Sequence, residues 1–310
     1  MKEKAQDFLV CPACSGPLRL VTRGAPENEV MEGEYSCECG KRYPVHNGIG
    51  QFVPEGYTAS FSFQWLASPG TPESEALART VKQDFLDRIG LDPESLRGRT
   101  VLDAGCGRGT LTLLLAEHGA EVIGIDLSDG VEVAARSARG KPGINIIRAD
   151  ILNPPLATES FDAILSLGVL HHTRDCKAAF LRLAGLLRPG GVIAIWVYSA
   201  YSTYRNKASD LLRRFTTRMP PRLLYGLCHA AIPLNALQSI PVLGLPFRII
   251  PVAGEGPWRW KVLGTFDWYS PTYQSKHTFP EVFGWFEEAG LEQIRVHDWN
   301  ICVSGKRPVR

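Results

Sequence analysis

The sequence predicts an α/β fold, a doubly wound and mostly parallel sheet, with a small cysteine-bearing module in front and a helical insertion late in the chain. Three observations predict it. From Arg99 onward, apolar strand-like runs alternate with runs of helical period, the pattern that lays parallel strands side by side with helices on both faces. The first of these runs, "VLDAGCGRGT" from Val101 to Thr110, passes directly into alternating glycines. Finally, Cys11, Cys14, Cys37 and Cys39 cluster near the start, while the other cysteines are scattered singly.

The elements follow in order. Residues 1–55 hold "CPAC", "CEC" and many turn formers, ending in "YPVHNGIGQFVPEG", and read as a β-rich module. A segment at 56–97 carries "PESEALARTVKQDFLDRIG", in which Leu77, Val81, Phe85 and Ile89 recur at four-residue steps and Gly90 supplies a stop, so a helix with one buried face is expected. The core at 98–198 reads as strand "TVLDAG", helix "TLTLLLAEHG", strand "EVIGID", helix "VEVAARSARG", strand "INIIRAD", strand "FDAILSLG", helix "CKAAFLRLAGLLRPGG" and strand "VIAIWVY". A Pro-rich, irregular insertion fills 199–277. At 278–310 helix "FPEVFGWFEEAGL" and strands "EQIRVHD" and "NICVSG" close the fold.

Composition bounds the function classes. With 45% hydrophobic and 21% charged residues the chain is of ordinary globular type, and a net charge of +2 gives no global field for nucleic acid. The start lacks a signal-peptide apolar region and no clean run of about 20 apolar residues follows, so a cytoplasmic protein is expected. The cysteine spacing suits a tetrahedral zinc held by Cys11, Cys14, Cys37 and Cys39. Only Glu38 separates the second pair, a departure from the usual two-residue spacing, although Gly40 still allows a tight turn. Loss of one of these ligands is expected to loosen the first 50 residues and leave the core folded.

The glycine loop favours one cofactor. Gly105, Gly107 and Gly109 form G-x-G-x-G instead of the dinucleotide G-x-G-x-x-G, and Asp103 before them would repel a pyrophosphate but suits a cationic ammonium. S-adenosylmethionine fits that description. Asp126, ending "VIGID", lies where a carboxylate can accept ribose hydroxyls, and Asp150 in "RAD" lies where an adenine amino group can be bound.

Over 98–198, and again in the closing helix and strands, the sequence resembles the class I S-adenosylmethionine-dependent methyltransferases. "VLDAGCGRGT", "GIDLS", "AD", "FDAILSLGVLHH" and "LLRPGG" carry the resemblance in order. It implies a seven-stranded Rossmann-like sheet. By the same resemblance Asp103, Gly105 and Gly107 line the methionine end, Asp126 binds ribose, Leu127 packs on adenine, and Asp150 with Ile151 meets the adenine edge. Ser166 to Gly168 would supply backbone near the transfer centre, and Phe61, Gln64 and Trp65 in "SFSFQWLAS" look like lid residues. The cysteine segment is similar to the zinc ribbons that precede many bacterial methyltransferases.

Methyl transfer to a hydroxyl needs a base beside the fourth strand end, and His171, His172 and His277 are candidates; each could instead pack or cap a helix. In the insertion, Arg205, Lys207, Arg213, Arg214, Arg218 and Arg222 face only Asp210, and residues 223–247 carry no Asp, Glu, Lys or Arg. Pro233, Pro241 and Pro246 argue against a membrane span. An apolar substrate lid is expected, with an interfacial helix at the inner membrane face. The reading is therefore a methyltransferase for a small hydrophobic acceptor, O-methylation favoured. An rRNA or tRNA methyltransferase and a non-catalytic cofactor-binding scaffold are the alternatives, and the oligomeric state is open.

Overall fold

The computed structural model describes residues 3–22, 29–53, 63, 72–254, 256–299 and 301–309. In β5 (Thr100–Ala104) every residue is buried, as befits a strand covered by helices on both faces. Parallel neighbours flank it: β6 (Glu121–Asp126) and β7 (Ile144–Arg148) on one side, β8 (Phe161–Leu167) and β9 (Leu187–Val197) on the other. The crossover helices are α2 (Thr110–Glu117), α3 (Gly130–Ala138) and α4 (Cys176–Ala184), with α1 (Pro72–Arg88) packed on α2.

The seven strands of the expected core are present. Those of the module, β1 (Leu18–Thr22), β2 (Gly33–Cys37), β3 (Arg42–His46) and β4 (Ile49–Gln51), extend the same sheet, because β4 pairs in parallel with β7 through Gly50–Ile147 and Gln51–Arg148. The order is β1-β2-β3-β4-β7-β6-β5-β8-β9-β11-β10, with β10 (Glu292–His297) and β11 (Ile301–Lys306) antiparallel at the far edge. One hydrophobic cluster joins Leu9, Tyr35 and Phe52 of the module to Leu102, Ile125 and Phe161 of the core.

One expectation is corrected. The helix read through "LLRPGG" stops at Ala184, and Leu187 to Gly191 belong to β9. Gly185 ends the helix, Pro189 lacks the N–H a helix interior needs, and Leu187 pairs with Phe161. The insertion is helical, as the fold class predicts, even along the run that reads as irregular: α5 (Thr203–Thr216), α6 (Pro221–Cys228), α7 (Ala231–Gln238) and α8 (Trp258–Tyr269). Its prolines begin helices more than they break them, since Pro221 opens α6, Pro233 falls in the first turn of α7 and Pro257 precedes α8. Leu224, Cys228, Val262, Phe266 and Tyr269 form a separate small core there. The last helix, α9 (Phe279–Glu288), starts with a reciprocal cap between Thr278 and Glu281. Among the described residues no helix is long and apolar enough to cross a membrane.

Candidate active site and metal centre

Strand order reverses between β5 and β8, so the crevice at their carboxyl ends is where an open α/β sheet binds ligands. The glycine loop lies there. Gly105, Gly107 and Gly109 all have positive φ, at 88°, 51° and 81°. A side chain on Gly105 would also sit 2.3 Å from Val169, so glycine is required there twice over. The loop is tied to the neighbouring strand end: the Gly107 N–H donates to Asp126 Oδ2 at 2.9 Å, and Ser128 donates to Oδ1 from its N–H at 2.8 Å and its hydroxyl at 2.7 Å. Among the described residues these three donors fix the carboxylate and leave about one lone-pair position on Oδ2.

A cavity of about 860 Å³ opens over this crevice. Gly105, Gly107, Asp126, Leu127, Asp150 and Ile151 line one end, and Gly168 follows at the end of β8. Gly168, at φ 74°, lets the chain pass Trp196, whose ring would be 2.6 Å from an added Cβ. Asp150 is held by the N–H of Leu152 at 2.9 Å.

Several expected site residues lie elsewhere. Asp103 is buried beneath the loop, accepts the Thr112 hydroxyl at 2.6 Å and does not line the cavity; burial raises its carboxyl, against the pull of Thr112 and Lys82. Ser166 turns its hydroxyl to the Ala104 carbonyl at 2.9 Å, stitching β8 to β5. His277 is held by Glu281 at 2.8 Å and Ser275 at 2.7 Å, against Trp285, away from the cavity wall. His171 is fully buried outside the lining, stacked 3.7 Å from the Tyr198 ring. Phe61, Gln64 and Trp65 fall outside the described residues. In the insertion, Arg213 is buried and donates to the Trp268 and Pro271 carbonyls at 2.7 and 2.6 Å, so it is not one of the surface cations.

His172 does line the cavity. Its Nδ1 lies 3.2 Å from the Tyr273 carbonyl, which can only accept, so Nδ1 carries the proton and Nε2 the lone pair. Burial lowers its basicity below the usual histidine value, opposed by Asp267 and the Tyr273 carbonyl. The ring is therefore neutral near pH 7 and able to accept a proton. Around it the wall is aromatic and apolar: Trp196, Tyr198, Trp260, Leu263 and Leu224. Tyr198 donates to Asp267 at 3.1 Å, and burial together with that carboxylate pushes its phenol well up. Trp196 stacks flat on Trp299 at 5.2 Å, and among the described residues its indole N–H has no partner.

Sequence reasoning missed Lys82, which lines the cavity from α1. Burial lowers its ammonium, while Asp103 and Cys106 hold it up. The available signal was a lysine three residues before Phe85, on the buried side of an otherwise apolar stripe.

In the module the sulfurs of Cys11, Cys14, Cys37 and Cys39 lie within 4.8 Å of one another, with Cys11–Cys39 at 3.7 Å and Cys14–Cys37 at 3.5 Å. A tetrahedral zinc with arms of about 2.3 Å sets sulfur–sulfur edges of roughly 3.8 Å, and disulfides would need about 2 Å. The cluster fits zinc. Burial pushes the Cys11 thiol up, but the Tyr43 hydroxyl at 3.4 Å and the Ala13 and Cys14 N–H groups outweigh it and bring it down to about 6, while at Cys37 the Cys39 N–H is outweighed by burial and the neighbouring sulfurs, which push that thiol up to about 12. Gly40, at φ 87°, makes the turn that the short second pair needs.

Residues 102–195 match the family described as a methyltransferase domain, and residues 2–48 match that of Trm112p-like proteins. The methyltransferase-domain match spans β5 to β9 and the glycine loop, and the Trm112p-like match spans the module that holds the four cysteines. A ubiquinone biosynthesis O-methyltransferase of Bordetella avium is 33% identical over 159 residues, 49% of this chain and 64% of that protein. An uncharacterised methyltransferase of Mycobacterium tuberculosis is 38% identical over 95 residues, 31% of this chain and 48% of its own. Magnesium protoporphyrin IX methyltransferase from Synechocystis PCC 6803, solved with bound SAH, aligns over 81% of this chain and 96% of its own, at 15% identity and a TM-score of 0.48. The chain spans about half the length of the curated relatives it matches first.

Proposed function

We propose that the chain transfers a methyl group from S-adenosylmethionine to an oxygen of a small, apolar acceptor, with His172 as the base. One observation carries the reading: a single cavity, near the upper end of the roughly 300–1,000 Å³ usual for small-molecule sites, is lined both by the strand-end carboxylates and by an aromatic wall that includes His172. S-adenosylmethionine supplies the methyl group on a sulfonium. In this reading Asp126 receives a ribose hydroxyl on its open Oδ2 position, Leu127 and Ile151 hold the adenine, Asp150 meets its edge, and Lys82 faces the carboxylate of the methionine end. Trp196 and Trp260 hold the acceptor with its oxygen toward His172. With the methyl group passing to the acceptor oxygen, His172 Nε2 would take up the hydroxyl proton. The O-methyltransferase relative supports oxygen as the acceptor atom.

The test is calorimetry with S-adenosylmethionine, followed by labelled methyl transfer to a panel of apolar phenols by wild type and His172→Gln. Micromolar cofactor binding with transfer lost in the variant is expected. Preference for NAD overturns the cofactor reading, and unchanged transfer in the variant overturns the base. The exposed cations of the insertion favour RNA as a second acceptor class, and turnover on RNA with none on the panel would establish that class instead.

A further inference from the structure

We infer that the outer face of the insertion is a docking surface for an anionic lipid bilayer, with α5 lying along it. At about 100° per residue, Tyr204, Leu211 and Phe215 fall within about 20° of one line along α5. They are 81%, 57% and 64% exposed. Ser209 and Arg213, about 140–180° round the helix, are the buried side that seats α5 on the insertion. The apolar stripe therefore points directly away from the protein. Exposed cations flank it: Lys207 and Arg214 about 60–80° to one side, Arg205 about 100° to the other, and Arg218 just past the helix end. Asp210 is the acid of this helix, and Lys276 pairs with it.

The apolar exposure continues beyond α5. Leu223 and Leu227 on α6, and Val242 and Leu243 in the turn after α7, are each more than half exposed, and Arg222 and Arg248 are exposed beside them. Large apolar side chains in such number are costly to leave in water, and monomeric proteins rarely show them outside interaction sites. Charge complementarity selects the occupant. A stripe of Tyr, Leu and Phe edged by arginine and lysine matches the acyl–headgroup boundary of an anionic membrane, in which the rings and aliphatic chains sink and the cations meet phosphate. A nucleic acid would meet the cations but leave the leucines exposed.

The surface adjoins the cavity. Thr216, Thr217 and Met219, which follow Phe215 in the chain, line it, as do Pro221 and Leu224 beside Leu223. A membrane-dissolved acceptor would therefore reach the cavity along the α5–α6 junction. This route rests on the proposed apolar acceptor; the docking itself does not.

The test is flotation of the full-length, zinc-loaded protein with vesicles of phosphatidylcholine alone or mixed with phosphatidylglycerol. Binding is expected on the anionic vesicles and at least tenfold less on phosphatidylcholine, since each cation contributes about fivefold near an anionic surface. Phe215→Glu with Leu211→Glu should abolish flotation, and Arg214→Glu with Arg218→Glu should reduce it more than tenfold. Both variants should keep wild-type affinity for S-adenosylmethionine, which shows that they fold. Absence of wild-type flotation at low salt, equal flotation of the variants, or RNA displacing the protein from vesicles at equal phosphate would each overturn the docking. Failure of wild type to bind S-adenosylmethionine would overturn only the methyltransferase reading.

Discussion

Asp126 and His171 show how differently two polar side chains can be spent. Asp126 is fixed by three donors from its own loops, and one acceptor position remains for a ligand. Asp126→Ala removes one charge-assisted bond and frees the glycine loop, so S-adenosylmethionine should bind about 2 kcal/mol, or about 30-fold, more weakly in calorimetry. An unchanged affinity would remove the ribose role. His171 has neither ring nitrogen partnered among the described residues, and burial, with His172 and His277 adding to it, drives its basicity well below the usual value. In the unfolded chain it takes up a proton near pH 6.5, whereas in the folded chain it does not, so the unfolded state binds more protons as pH falls. Stability is then full above about pH 6.5 and declines steadily below it. His171→Phe keeps a ring against Tyr198 without the proton-binding nitrogens. Thermal melts of this variant should match wild type at pH 8 and exceed it at pH 5, and parallel curves would show that His171 takes no part in acid unfolding.

At the scale of elements, what the sequence disclosed was local. The glycine loop, Asp126 and the β5–β9 strands were legible because apolar runs of strand length and positive-φ glycines are written in consecutive residues. Lys82 was not, since its value comes from Asp103, which belongs to a different element. Likewise, the buried state of Asp103 depends on Thr112, and "LLRPGG" reads as helix until Leu187 finds Phe161 across the sheet. Arg213 is the sharpest case: in sequence it is one of six cations, and in space it clamps α5 to the end of α8. Arg213→Ala takes this donor from the Pro271 carbonyl, a loss of about 1–3 kcal/mol if it stays dry, while the Trp268 carbonyl keeps the Gln274 amide at 3.0 Å. Because Asp267 and Ser270 beside them line the cavity, the variant should be cut faster within 199–277 by a protease and show a raised KM for the acceptor. Its affinity for S-adenosylmethionine should stay within about twofold; a tenfold loss would mean the clamp serves the whole cavity.

On the scale of the whole molecule, the metal module is part of the sheet and not an appendage. Phe8 packs on Phe161 at 6.1 Å, Leu9 bridges to Leu156, and Tyr35, Val45 and Phe52 share a core with Ile125 and Ile147. The module also holds the strand-end loop that carries Asp150 and Ile151. Val10 donates to the Pro155 carbonyl at 3.0 Å, Ala157 to that of Phe8 at 2.9 Å, and Asn153 to that of Pro12, inside the first cysteine pair, at 3.1 Å. Losing a ligand is therefore expected to disturb more than the first 50 residues, because opening them exposes one side of β7 and the cavity wall that Asp150 and Ile151 line. Chelation, or Cys14→Ser, should lower a single cooperative unfolding transition by about 10 °C, if metal loss costs about 4 kcal/mol and each kcal/mol moves the midpoint by about 2–4 °C. The same treatment should weaken S-adenosylmethionine binding about tenfold, through Asp150 and Ile151, in calorimetry well below the transition. Scanning calorimetry decides between the two arrangements: a small early transition followed by the methyltransferase domain melting at its original temperature, with cofactor affinity intact, would mean that the shared core and the three hydrogen-bond ties contribute little, and that the module is a passenger.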